Sequence, residues 1–284
     1  MFQVRPDQIV VRIPLEDNFT DVLGKAQRGL KLAHSELARR AGVRESDLSS
    51  ALQGVVNEPV LRKLAGALGL GAPALSALAN ESWSPIDPGS IAGLKCFTEP
   101  YGATSVNSYL VSDAATHEAA MFDTGVDCSN ALRFASQHGL RISLLLLTHA
   151  HEDHVADLEK LTTSTNAQAW ASDREPVPGA RSFPDRQQFE FGGLTISTRR
   201  TSGHARGGVT YLVTGLARPL AIVGDAIFAG SMGGGMVNYQ EALRTNRESL
   251  FTLLDETVVC PGHGPMTTVG EERVHNPFFS SISL

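Results

Sequence analysis

Between Thr20 and Asn80 the apolar positions recur every three or four residues, whereas from Ile91 onward they gather in short runs closed by glycine. The first pattern predicts helices and the second predicts strands separated by turns. In the first region Asn18 or Thr20 can cap a helix running to Leu30, with Val22, Leu23, Ala26 and Leu30 on one face. Ser35 is placed to cap ELARRA, which Gly42 ends, and Ser46 to cap DLSSAL, which Gly54 closes. Two more helices are expected from Pro59 to Leu68 and from Ala72 to Ala79. In the second region NSYLV, EAAMFDTG, ISLLLLTH, LTISTRR, VTYLV, LAIVGDA and ETVVCPGH read as strands, and ALRFASQHG as a helix ending at Gly139. The join, ESWSPIDPGS, holds Pro85, Pro88 and Gly89, which stop a helix and suit a linker. The expected organisation is an all-helical domain over residues 1–82 and an α/β domain over 83–284.

Composition narrows the classes. With 284 residues, 42% of them hydrophobic, the chain can bury a sizeable core. A net charge of −6 argues against a generic nucleic-acid binder. Cys96, Cys128 and Cys260 are too few and too scattered for a disulfide framework, which points to a reducing compartment. The opening MFQVRPDQIVVRIPLEDN carries charges within its apolar stretch, unlike a signal peptide, and the apolar run Leu144–Leu147 is far too short to cross a bilayer. A cytoplasmic protein without a membrane partner is expected.

The chemistry is concentrated in Thr148-His149-Ala150-His151-Glu152-Asp153-His154, directly after a strand. Four donors this close cannot all point one way on a regular strand or helix, but they can converge on a turn. Imidazole and carboxylate suit zinc, iron and manganese, and such sites need several donors at once. His204 in SGHARGG, Asp225 after AIVG and His263 in PGHGP stand at further strand ends beside glycine, where loops reach a shared site. Glu152 is expected to face solvent. His34, His117, His138 and His275 have no partners in sequence and read as surface or helix-end residues, and Cys260 as an inert buried thiol.

HAHEDH followed by His, Asp and His in these contexts resembles the metallo-β-lactamase superfamily, from about Ile91 to the C-terminus. The resemblance implies an αββα sandwich of two similar halves. It also implies two divalent ions, zinc foremost with iron and manganese as alternatives. His149, His151 and His204 would hold one ion, Asp153, His154 and His263 the other, and Asp225 would bridge them. Asp153 and Asp225 would serve catalysis, with a metal-bridged hydroxide attacking an acyl carbonyl. Class B β-lactamases mostly carry Cys or Ser at the position of Asp225, which argues against that branch. GDAIFAGSMGGG and DETVVCPGHGPMTTVGEERVHNPFF look like the compact glyoxalase II-like hydrolases, which cleave thioesters such as hydroxyacyl-glutathione. Where those relatives often read GRTDF, this chain has Gly233-Gly234-Gly235-Met236, either a flexible loop or an access to the site. A persulfide dioxygenase and a lactonase are the competing enzymes on this fold.

LKLAHSELARRAGVRESDLSSALQGVVNEPVLRKLAGALGL resembles the phage-repressor-like helix-turn-helix family, so a DNA-binding regulator with a metallo-β-lactamase sensor domain is the alternative from another class. The helix that would enter the major groove begins Glu45-Ser46-Asp47 and offers no cation after Arg44. Weak DNA binding with a steep salt dependence is therefore expected, with the helices serving dimerisation or covering the mouth of the active site, and the chain forming a homodimer or larger assembly. The expected partner of the enzyme is a small acyl substrate.

Overall fold

The computed structural model describes residues 14–280, so most of the segment judged unlike a signal peptide lies outside the described residues. Five helices come first: α1 (Phe19–Gly29), α2 (His34–Ala41), α3 (Glu45–Leu52), α4 (Glu58–Leu68) and α5 (Ala72–Ala79). A half-sandwich follows, with β1 (Leu94–Tyr101), β2 (Thr104–Ser112), β3 (Glu118–Phe122), α6 (Ser129–Gln137), β4 (Arg141–Leu146), α7 (Glu152–Val155), α8 (Leu158–Thr165), β5 (Gln168–Ser172) and β6 (Arg181–Phe183). The second half holds β7 (Gln188–Phe191), β8 (Leu194–Arg200), β9 (Val209–Thr214), β10 (Leu220–Gly224), α9 (Tyr239–Ser249), β11 (Val258–Pro261), β12 (Thr267–Thr268) and α10 (Val269–His275). Each half makes one sheet, ordered β1-β2-β3-β4-β5-β6 and β12-β11-β10-β9-β8-β7. No helix among the described residues is long and apolar enough to cross a membrane.

Alternation along the strands explains the layers. Tyr109, Phe122 and Leu146 of the first sheet meet Ile196, Tyr211, Val213, Ile222 and Cys260 of the second in the central core. On the outer face of the first sheet, Leu110, Met121 and Leu145 pack with Ala131 and Ala135 of α6 and Leu161 of α8. β10 is buried on both faces, so its sequence is a continuous apolar run: Leu220 and Ile222 point between the sheets, Ala221 and Val223 outward.

That outer face decides how the N-terminal helices sit. Ala221, Val223 and Val259 share one core with Val22, Leu23, Leu61, Leu64 and Leu75, together with Tyr239 of α9 and Phe278. The boundary at residue 82 thus separates helices from strands but does not separate two cores. α1–α5 form part of the outer helical layer of the second sheet. The linker is tied down as well: Trp83 stacks on His275 at 4.8 Å between ring centroids, and the Ile86 N–H donates to Glu271 at 2.9 Å.

Helix starts depart from expectation in two places. Asn18 caps α1 through the N–H groups of Thr20 and Asp21, as its side chain suggests. Ser35 and Ser46, however, lie inside the first turns of α2 and α3, which begin one residue earlier, after Ala33 and Arg44 with no side-chain cap. In α3 the fork of Arg44 on Asp47, at 2.7 and 2.9 Å, braces that turn instead.

Glu272 in α10 is fully buried and accepts from Gly230 N–H, Thr267 Oγ1 and Asn276 Nδ2 at 2.8–3.0 Å. Burial pushes its carboxyl up to about 8, against the lowering effect of those hydrogen bonds. The folded state therefore keeps a proton that the unfolded chain releases near 4.5. This contribution to stability is full below the unfolded value and is lost as pH rises through about 8. Urea midpoints are expected to fall between about pH 5 and about pH 9, with a shallower fall in Glu272→Gln. Equal slopes in the two proteins would assign the pH dependence to other groups.

Candidate metal centre

The chain leaves β4 through Leu147 and Thr148, and the turn before α7 presents His149 and His151. One turn of α7 then buries Asp153 and His154 while Glu152 stays exposed. His204 comes from the loop between β8 and β9, Asp225 follows β10 and His263 follows β11. All seven side chains meet at one edge of the sandwich, in two groups: His149, His151, His204 and Asp225, and Asp153, His154 and His263. Within each group the ligand atoms lie within 4.8 Å of one another.

The first group has His151 Nδ1 at 3.0 Å from His149 Nε2 and 3.1 Å from His204 Nε2. Nitrogens around a tetrahedral ion with bonds of about 2.0–2.1 Å stand ~3.3 Å apart, so this spacing suits such an ion. In the second group His263 Nε2 lies 3.3 Å and His154 Nε2 3.8 Å from Asp153 Oδ2. Asp225 sits between them: Oδ1 is 3.3 Å from His154 Nε2, and Oδ2 is 3.3 Å from His204 Nε2 and 3.5 Å from His263 Nε2. His154 Nε2 and Asp225 Oδ1 are buried with no hydrogen-bond partner among the described residues. Such orphaned atoms are costly unless something else completes them. A cation fits both atoms, because each is a Lewis base aimed into the cluster.

The other ring nitrogens are held by oxygens. His154 Nδ1 lies 2.8 Å from Asp123 Oδ2, His204 Nδ1 2.6 Å from Gly233 O, His263 Nδ1 2.7 Å from Ser105 O and His149 Nδ1 3.0 Å from Thr148 Oγ1. A proton fixed on the outer nitrogen leaves the inner one free to bind a metal. Asp123 also accepts from the N–H and hydroxyl of Thr148 at 2.7 Å, so one carboxylate orients both ends of the HAHEDH turn. Sequence reasoning missed Asp123. It lies in FDTG at the end of β3, and its role emerges only because β3 and β4 are parallel neighbours.

Electrostatics follow the same division. Burial pushes His149 and His204 down, toward the neutral ligand form. Burial would lower His154 too, but Asp123 and Asp225 raise it to about 10. Burial likewise opposes the charge on His263, which Asp153 and Asp225 raise to about 11. Burial would raise Asp225, but His154, His263 and His149 hold it well below the usual carboxylate range. Carboxylates that draw protons onto the neighbouring imidazoles in this way would hold a divalent ion in the protons' place.

Two of the three consecutive glycines are tightly packed. A Cβ on Gly233 would lie 2.2 Å from Asp225 O, and one on Gly235 would lie 2.1 Å from Tyr239 Cα. Close approach to the site and to α9 explains those glycines. Cys260 is fully buried between the sheets, with its thiol pushed up by burial. His34, His117, His138 and His275 join neither donor group.

The family model described as Metallo-beta-lactamase superfamily matches residues 101–263, which is more than half the chain and spans all seven donors. This chain belongs to the metallo-beta-lactamase superfamily. It is 30% identical to the probable metallo-hydrolase YqgX of Bacillus subtilis over 212 residues, covering 65% of this chain and 97% of the relative. It is 26% identical to the hydroxyacylglutathione hydrolase GloC of Haemophilus influenzae over 209 residues, with the same two coverages. Among solved structures, ETHE1 from Myxococcus xanthus superimposes with a TM-score of 0.58 at 25% identity, covering 66% of this chain and 86% of that one. The BLEG-1 B3 metallo-beta-lactamase gives 0.56 at 23% identity, covering 66% and 100%, and shows the shared fold.

The superfamily match begins after the N-terminal helices, yet their segment reaches the cluster. The Glu16 backbone packs against Gly264, where a Cβ would come within 3.1 Å of Glu16 N. Lys25 pairs with Asp17, donates to Met232 O at 2.8 Å and lies 5.0 Å from the Phe228 ring, which packs edge-on against His263. Ser231 Oγ donates to Asp17 at 2.5 Å.

Proposed function

We propose that the protein is a two-metal hydrolase of activated acyl groups, with thioesters of the hydroxyacylglutathione type as its substrate class. The observation that carries this reading is the pair of donor sets sharing Asp225, each able to hold an ion. His149, His151 and His204 would ligate one ion and Asp153, His154 and His263 the other, with Asp225 common to both. Divalent ions bound there would supply Lewis acidity, lowering the pKa of water toward about 7 and polarising a carbonyl oxygen. Asp153 is placed to orient the attacking water and take its proton at Oδ2. Asp123 fixes the tautomer of His154 and the course of the HAHEDH turn, so the inner face stays ordered before substrate arrives. The thioester assignment draws on the similarity to GloC, and zinc is the metal of first choice for this donor set.

For α2 and α3 we favour a covering role over reading DNA. Arg44 is engaged by Asp47, and Arg39 and Arg40 by Glu36, so these cations are already partnered within the helices.

Elemental analysis after purification without chelator, beside a panel of thioesters, lactones and a penicillin, tests the assignment. Two divalent ions per chain are expected, with thioester turnover well above that of penicillin and lactone. One iron per chain with oxygen consumed on persulfides would replace the reading with a dioxygenase. Faster turnover of an acyl-homoserine lactone would make the protein a lactonase.

A further inference from the structure

A groove of about 1020 Å³ runs between the end of α1 and the glycine-rich loop that precedes α9. Gly29 lies against the Tyr239 ring, so the two walls are fixed to each other at that point. Lys25, Arg28 and Lys31 line one wall and no acidic side chain lines either among the described residues. Lys25 is neutralised by Asp17, but Arg28 and Lys31 are exposed and have no ion-pair or hydrogen-bond partner among the described residues. The facing loop adds the N–H groups of Gly234, Gly235 and Met236, which bond to no other described residue. Gly233 also lines the groove, and its carbonyl holds His204 Nδ1, so one part of the groove wall is also part of the metal centre.

Unpaired cations beside free backbone donors make an anion site. We propose that this groove binds the anionic part of the substrate's leaving group, a carboxylate or phosphate on the thiol carrier, with Arg28 and Lys31 as its cationic contacts. The inference rests on the thioester reading above for the identity of its ligand. A carrier joined through sulfur to an acyl group at the cluster runs along the loop and places its charge at the end of α1. The cations come from a segment outside the matched superfamily region, and they stand beside a loop that itself carries no cation.

The test compares one acyl group on three carriers: glutathione with carboxylates, coenzyme A with phosphates, and the neutral N-acetylcysteamine. The variants are Arg28→Ala, Arg28→Glu and the double variant Arg28→Ala/Lys31→Asn. Asn suits position 31 because Lys31 has φ 55°. The double variant is expected to lose about tenfold of the KM preference for an anionic over the neutral carrier. Arg28→Glu should lose more, and added salt should erode the wild-type preference. The anionic carrier that shows the loss identifies carboxylate or phosphate as the recognised group. A preference unmoved by any variant would overturn the proposal. Calorimetric titration with S-methylglutathione and with coenzyme A separates it from the thioester reading. If no thioester is cleaved, binding that weakens in the double variant still supports the groove, and absence of binding by both probes overturns it.

Discussion

Asp225→Ala is expected to fold and to lose hydrolytic turnover by about three orders of magnitude or more, since nucleophile generation and oxyanion stabilisation both depend on the ions it would share. The loss follows from its position. Its two carboxylate oxygens stand 3.3–3.5 Å from nitrogens of both donor sets, and among the described residues no other side chain approaches both so evenly. Removing it also takes away a negative charge beside His154 and His263, one that would draw a cation into the space between them. Metal content should fall together with turnover. Asp225→Asn tests charge separately from shape: it keeps an oxygen in place, and it is expected to retain more metal than the alanine variant while remaining severely impaired. Turnover, elemental analysis and circular dichroism on the same preparations decide the matter. Near-normal turnover in a folded, metal-poor Asp225→Ala protein would place the reaction elsewhere.

The donors were legible because their chemistry is explicit in the chain. Seven imidazoles and carboxylates at strand ends, several beside glycine, have few other uses. What supports them was not legible. Asp123 acts on His154 across a parallel strand pair, and the partners of His204 and His263 are the backbone carbonyls of Gly233 and Ser105, which any residue could supply. Gly262 shows the same limit. A Cβ there would lie 2.3 Å from Asp225 Oδ1, a constraint invisible until β10 and β11 are placed side by side. The helices of the N-terminal region were legible from their period, but two of their starts were not, because Ala33 and Arg44 lack the capping chemistry that marks a start. Their docking was hidden for another reason. A strand apolar on both faces announces burial without saying what covers it, and Ala221 and Val223 could as well have faced α9 and α10 alone.

That shared core leads to the second large effect. Leu23 is fully buried on α1 and belongs to the same cluster as Ala221, Val223 and Val259 of the second sheet. Leu23→Ala removes buried methyl groups where the surroundings can only partly collapse, at a cost of about 2–5 kcal/mol. If α1–α5 and the sandwich are one cooperative unit, the whole protein bears that cost. Urea unfolding followed by far-UV circular dichroism should then coincide with the transition followed by Trp170 fluorescence in a Trp83→Phe background. Trp170 lies on β5 of the far sheet, so it reports on the sandwich and not on the helices. Leu23→Ala is expected to move both curves together to lower urea with unchanged slope. Two separate transitions, with only the helical signal shifted, would show that the N-terminal helices unfold on their own. The outward-facing surface of β10 and β11 would then not depend on them for its burial. A common shift would mean that the segment carrying Glu16, Lys25, Arg28 and Lys31 is held at the rim of the metal centre by the stability of the entire fold, as a fixed wall and not a hinged one.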